Sequence, residues 1–154
     1  MEHGSIERTL YIDATPEVVY EVISNPTHVK QWWPDDADFA STPGAVGELI
    51  WGDRTTPDAQ IVPLTVVDAQ PHTLFSFRWI HPADEPAAAG NSLFVTFELT
   101  PSGAGTTVRM TETGFREMGW EIAVLDKEYH EHIEGWDHFL PQLGEYAQRL
   151  VARR

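Results

Sequence analysis

Glu112 and His132 are the residues of this chain whose types and placement best fit acid–base or polar-anchor chemistry. In the segment Thr106 to Thr113, residues Val108, Met110 and Glu112 recur at every second position and so share one face. A carboxylate among apolar neighbours is costly to desolvate when unpaired, so Glu112 calls for a partner or for water at the strand end. His132, beside the apolar stripe of the C-terminal segment, can supply that partner. A Glu–His pair in an apolar pocket is either an acid–base device or the anchor for a ligand's head group.

The other candidates are aromatic or soft. Trp32 and Trp33 are adjacent, so their rings point in different directions: one can face a cavity mouth while the other plugs the core. Phe75, Phe77 and Trp79 share a face, as do Val95, Phe97 and Leu99. Together with Trp51, Met110, Phe115, Trp120 and Trp136 they form a set that either lines a ligand site or fills a core. The run Gly114 to Trp120 is expected either to cover the pocket or to floor the core.

Other chemistries find no support. His130, His132 and His138 lie two and six residues apart, so the i, i+4 spacing of a helical metal site is absent, and Glu128 with His132 is only a lone pair. Neither a phosphate-binding glycine loop, a dinucleotide fingerprint nor a Ser-His-Asp context occurs. With no cysteine, disulfides and thiolate chemistry are excluded. No catalytic set, metal or cofactor is therefore expected. The net charge of -14 repels phosphate backbones and anionic membrane surfaces, which argues against nucleic acid and membrane partners. No apolar run approaches the ~20 residues of a membrane span, and no signal-like segment opens the chain, so the expected location is the cytoplasm.

These residues need elements to position them. Ile6, Arg8, Leu10 and Ile12 alternate as a strand, and Thr15-Pro16 caps and starts a helix with Val18, Val19, Val22 and Ile23 on one stripe. A short helix from Thr27 to Gln31 leads into Trp32-Trp33 and stops at Pro34. Asp35-Asp36-Ala37-Asp38 reads as a solvated loop. Strands are expected at Gly47–Trp51, Gln60–Ala69, Thr73–Ile80, Ser92–Thr100 and Thr106–Thr113, with the last two joined as a hairpin across Pro101–Gly105. His81 to Gly90 reads as an exposed loop. From Ile122 to Leu150 apolar residues step by three or four, giving one long helix that Pro141 should kink or open locally. The length of 154 residues suits a single domain spanning 1–154.

At this point the sequence resembles a known superfamily. Ile6-Glu7-Arg8 with Ile12-Asp13-Ala14-Thr15-Pro16-Glu17-Val18-Val19-Tyr20 is similar to the opening of START-like (SRPBCC) proteins. Trp32-Trp33-Pro34 after Asn25-Pro26-Thr27-His28, Thr113-Gly114-Phe115, and His132-Ile133-Glu134-Gly135-Trp136 resemble marks of its activator-of-heat-shock-ATPase-like branch. The likeness runs from Ile6 to Leu150. It implies an α+β helix-grip fold: a curved antiparallel sheet of about six or seven strands around the long C-terminal helix, two short helices after the first strand, and a cavity between sheet and helix. It also implies a small apolar ligand (lipid, polyketide or aromatic metabolite) bound in that cavity by Trp32, Trp33, Trp51, Phe75, Phe77, Trp79, Phe97, Met110, Glu112, Phe115, Trp120, His132 and Trp136. An aromatase/cyclase-like enzyme and a chaperone-binding role are the alternatives, and a homodimer is compatible with each.

Overall fold

Alternation of apolar residues governs most of the chain. The computed structural model describes residues 4–152, in which seven strands and three α-helices follow one another as β1 (Ser5–Ile12), α1 (Pro16–Ser24), α2 (Pro26–Val29), β2 (Asp36–Asp38), β3 (Val46–Trp51), β4 (Gln60–Gln70), β5 (Leu74–Trp79), β6 (Leu93–Ser102), β7 (Gly105–Thr113) and α3 (Ile122–Ala152). The strands form one antiparallel sheet in the order β1-β7-β6-β5-β4-β3-β2. The first strand therefore lies beside the last, and the segment carrying α1 and α2 leads across to the opposite edge.

The helix starts are locally encoded. The Thr15 hydroxyl accepts from the Val18 N–H and Pro16 takes the first turn of α1, where a missing N–H costs nothing. The Asn25 side chain accepts from the Thr27 N–H at 2.9 Å to open α2. Val18, Val19, Val22 and Ile23 of α1 are buried, as their helical spacing predicts. α2 stops at Val29, two residues short of the expected Gln31, and α3 is continuous through Pro141.

Two expectations are corrected. Asp36 to Asp38 is not loop but a short edge strand paired with β3, its residues mostly exposed. Acidic side chains on a short edge strand discourage pairing with further chains, so loop-like composition and strand structure coexist here. Gly47 is what allows the approach, since a Cβ there would collide with the Asp38 carbonyl and with Phe39. The third expected strand ends one residue early. Ile80 adopts a left-handed backbone conformation, φ 66°, which turns the chain out of β5.

The inner face of the sheet carries continuous apolar rows. One of them runs from Ile6 on β1 through Glu112, Val95 and Phe77 to Val66 on β4, by direct cross-strand pairing. Glu112 is the single charged member of that row, and it is fully buried. α3 packs over this face, but only its second half sits down on it. Its buried residues are Trp136, Leu140, Leu143, Gly144 and Ala147, whereas Ile122 and Val124 near its start are exposed.

Candidate functional site

Burying Glu112 is possible because the fold surrounds it with N–H donors. Its Oε1 accepts from the Trp136 indole N–H and from His132 Nδ1, each at 2.8 Å, and its Oε2 accepts from the Trp79 indole N–H, also at 2.8 Å. Strand alternation delivers Trp79 from β5 and Glu112 from β7, and the i, i+4 step of α3 delivers His132 and Trp136 to one helix face. Three charge-assisted hydrogen bonds offset the desolvation of the carboxylate.

The same contacts govern His132. Burial pushes its pKa down, but the hydrogen bond and attraction to Glu112, with weaker pulls from Glu128 and Glu131, more than compensate, so the pKa stands above the ordinary 6.5. With Nδ1 committed to Glu112, Nε2 is directed toward Glu128, whose Oε2 lies 4.0 Å away. The imidazole packs in T-shaped fashion against the Trp79 and Phe115 rings, at centroid distances of 5.5 and 5.4 Å.

Outward from this network the interior is both filled and open. Trp32 stacks on Trp33 at 5.7 Å and donates its indole N–H to the Val22 carbonyl, which pins the turn after α2 to α1. Phe75, Phe77, Phe97, Met110 and Phe115 are buried and pack into the core. Trp33 contacts Trp79 at 5.0 Å, Trp136 at 5.1 Å and Trp51 at 5.9 Å. What remains between these indoles and α3 is a cleft of about 270 Å³ that opens to solvent. Trp33, Trp51, Trp79 and Trp136 form its apolar wall and His132 is its innermost polar group. Of the thirteen residues the sequence singled out, these five line the cleft directly. Glu112 stands behind three of them, and Trp120, half-buried beyond the 3-10 turn Arg116–Met118, packs against the core away from the opening.

Sequence reasoning missed the rest of the rim. Gln60 and Val62 enter from β4, Ile80 from the end of β5, and Glu131, Gly135 and Phe139 from α3. The helix residues carried a legible signal: positions 132, 135, 136 and 139 fall on one face at 3.6-residue spacing. Gln60 and Val62 carried none, since only the register that sets Gln60 opposite Trp51 and Val62 opposite Leu49 brings them there. Ile80 is also the one β-branched residue with positive φ among the described residues, a strain worth roughly 1–3 kcal/mol, and it lies at the cleft's edge.

A larger groove of about 430 Å³ lies on the other flank of α3, against β1. Three of its polar side chains, Arg8, Asp137 and Gln148, already serve the protein. Arg8 Nε bonds Asp137 Oδ1 at 2.7 Å across it, and Gln148 accepts from the Asp13 N–H. The aromatic cleft is the better candidate site. No group of three or more potential metal ligands occurs among the described residues, and no helix among them is long and apolar enough to cross a membrane.

A curved antiparallel sheet gripping a long C-terminal helix, with two short helices after the first strand, is the architecture of the START-like superfamily. Residues 13–148 match the family described as Activator of Hsp90 ATPase homolog 1-like protein, and the chain belongs to that family. Solved structures share the fold. The protein MLL2253 from Mesorhizobium loti is 21% identical with a TM-score of 0.74, over 94% of this chain and 97% of that one. The Aha1 dimer from Colwellia psychrerythraea is 20% identical with a TM-score of 0.69, over 92% and 93%. CalU16 from Micromonospora echinospora is 16% identical with a TM-score of 0.64, over 99% and 83%. No curated protein matches the chain.

Proposed function

We propose that this protein binds a small hydrophobic molecule in the cleft between the sheet and the first half of α3. The observation that carries this reading is four indole rings left bordering an open space beside the buried Glu112 carboxylate and its half-buried partner His132. Apolar burial at about 25 cal/mol per Å² supplies affinity, and His132, with Gln60 at the rim, fixes orientation. The volume falls just under the ~300 Å³ low end of ligand pockets, which favours a compact aromatic or alicyclic molecule over a long-chain lipid.

Gly135 offers a clean test, because nothing lies within 4 Å of the position a Cβ would occupy. Gly135→Leu projects a side chain into the cleft from the helix side, starting from a Cβ that meets nothing. Ligands found by screening compact aromatic and alicyclic compounds against the intrinsic Trp fluorescence should lose at least tenfold in affinity in Gly135→Leu, with Tm not lowered, since Leu also adds helix propensity. Binding that survives the substitution places the ligand elsewhere, and a panel without binders removes the reading.

Two further roles rest on the relatives. The dimeric Colwellia protein supports a homodimer of this chain, which sedimentation velocity would detect. The family's description supports a chaperone partner, which a pulldown with the cognate chaperone would test, and a cytoplasmic location is proposed from the sequence alone.

A further inference from the structure

We infer that the compact molecule taken by the cleft is an organic cation, held by the faces of Trp33, Trp51 and Trp79 and by the carboxylate of Glu131. The inference deepens the proposed function and rests on its reading of the cleft as a ligand site.

Ring geometry is the first support. A flat neutral aromatic would be gripped best between parallel rings, but the indoles bordering the cleft are not parallel. Trp33 and Trp51 meet at 81°, Trp51 and Trp79 at 42°, and Trp79 and Trp136 at 55°. The parallel pair, Trp32 on Trp33 at 14°, is closed off by burial of Trp32. Rings set at such angles form a concave corner rather than a slot. A corner of this kind suits a rounded group such as a trimethylammonium, which meets several π-faces at once, each contact strengthened by the ring's negative face.

Charge is the second support. Neither Lys nor Arg lines the cleft, whereas Glu131 does and Glu128 stands beside it, 4.0 Å from His132. Protonated His132 does not cancel them, because Glu112 already neutralises it at 2.8 Å. The nearest ammonium on the helix, Lys127, reaches Glu131 at 3.9 Å but is 72% exposed, so water screens that pair strongly. Glu128 and Glu131 already act on one positive charge here, adding to the stronger pull of Glu112 that raises the His132 pKa in spite of burial. A net charge of -14 adds a long-range field that concentrates cations near the molecule.

Benzyltrimethylammonium and its uncharged isostere neopentylbenzene separate charge from shape, since they differ only in nitrogen for carbon. With Trp fluorescence and calorimetry as readouts, the cation should bind the full chain at least tenfold tighter than the hydrocarbon in low salt, and raised salt should erode that margin. Glu131→Gln should weaken the cation about two- to fivefold and Lys127→Gln should tighten it slightly, both without moving the hydrocarbon, as expected for partly screened charges. Trp51→Leu keeps the wall apolar while removing a π-face, so it should lower cation affinity and spare the hydrocarbon. Equal or tighter binding of neopentylbenzene overturns the inference and leaves the apolar-ligand reading standing. Failure of both probes to bind overturns the inference and counts against that reading as well.

Discussion

The two halves of α3 carry the same apolar stripe to different ends. From Trp136 onward the stripe is seated: Leu140, Leu143 and Ala147 are buried against the sheet, and Gly144 lies close to Ile12 and Leu10 of β1. Before Trp136, no residue of the helix is buried, and Tyr129, His132 and Gly135 look onto rings or open space. The difference teaches that this helix is an anchor at one end and a cleft wall at the other. The two meet at Trp136, whose indole N–H bonds Glu112.

Breaking the junction should have the largest effect. Glu112→Leu leaves the Trp79 and Trp136 N–H groups and His132 without their acceptor, and chemical denaturation should show a loss of about 3–5 kcal/mol. Glu112→Gln keeps the shape, so it should cost less, and the His132 pKa measured by NMR should fall once its counter-charge is gone. Leu143→Ala in the seated half should cost about 2–5 kcal/mol, while Ile133→Ala in the other half should cost about 1 kcal/mol. Equal losses in urea melts would erase the distinction between anchor and wall.

A pH dependence follows from His132. Its folded-state pKa is raised above the unfolded 6.5, so the stability it contributes is fully present below 6.5 and disappears as pH rises through the folded value. The stability gap between the native chain and His132→Gln should accordingly be wider at about pH 6 than at about pH 9. The smallest effects compare the two helix glycines. Gly144→Ala should stabilise by about 1 kcal/mol from helix propensity, with ordinary contacts at 3.7 Å to Ile12 and 3.9 Å to Leu10. Gly135→Ala should gain the propensity alone, since its methyl meets nothing, and differential scanning calorimetry would rank the two.

Much of this was legible in local pattern. Period-two alternation put Glu112 with Val108 and Met110 on the inner face, and helical spacing put His132 near the stripe; together they anticipated the contact between the two. Thr15-Pro16 marked the start of α1 because capping is a matter of neighbouring residues. Asp36 to Asp38 escaped detection because pairing with β3, not composition, makes it a strand. The second and third donors to Glu112 also escaped. Nothing local says that an indole N–H on β5 and another on α3 will converge on one carboxylate.

Sequence by itself determined the periodicities, the caps and the apolar inventory, because these depend on residues within a turn or two of one another. Tertiary structure alone decided which indoles became core and which became wall. That choice depends on strand register and on where α3 leaves the sheet, and both are set by contacts between residues far apart in the chain.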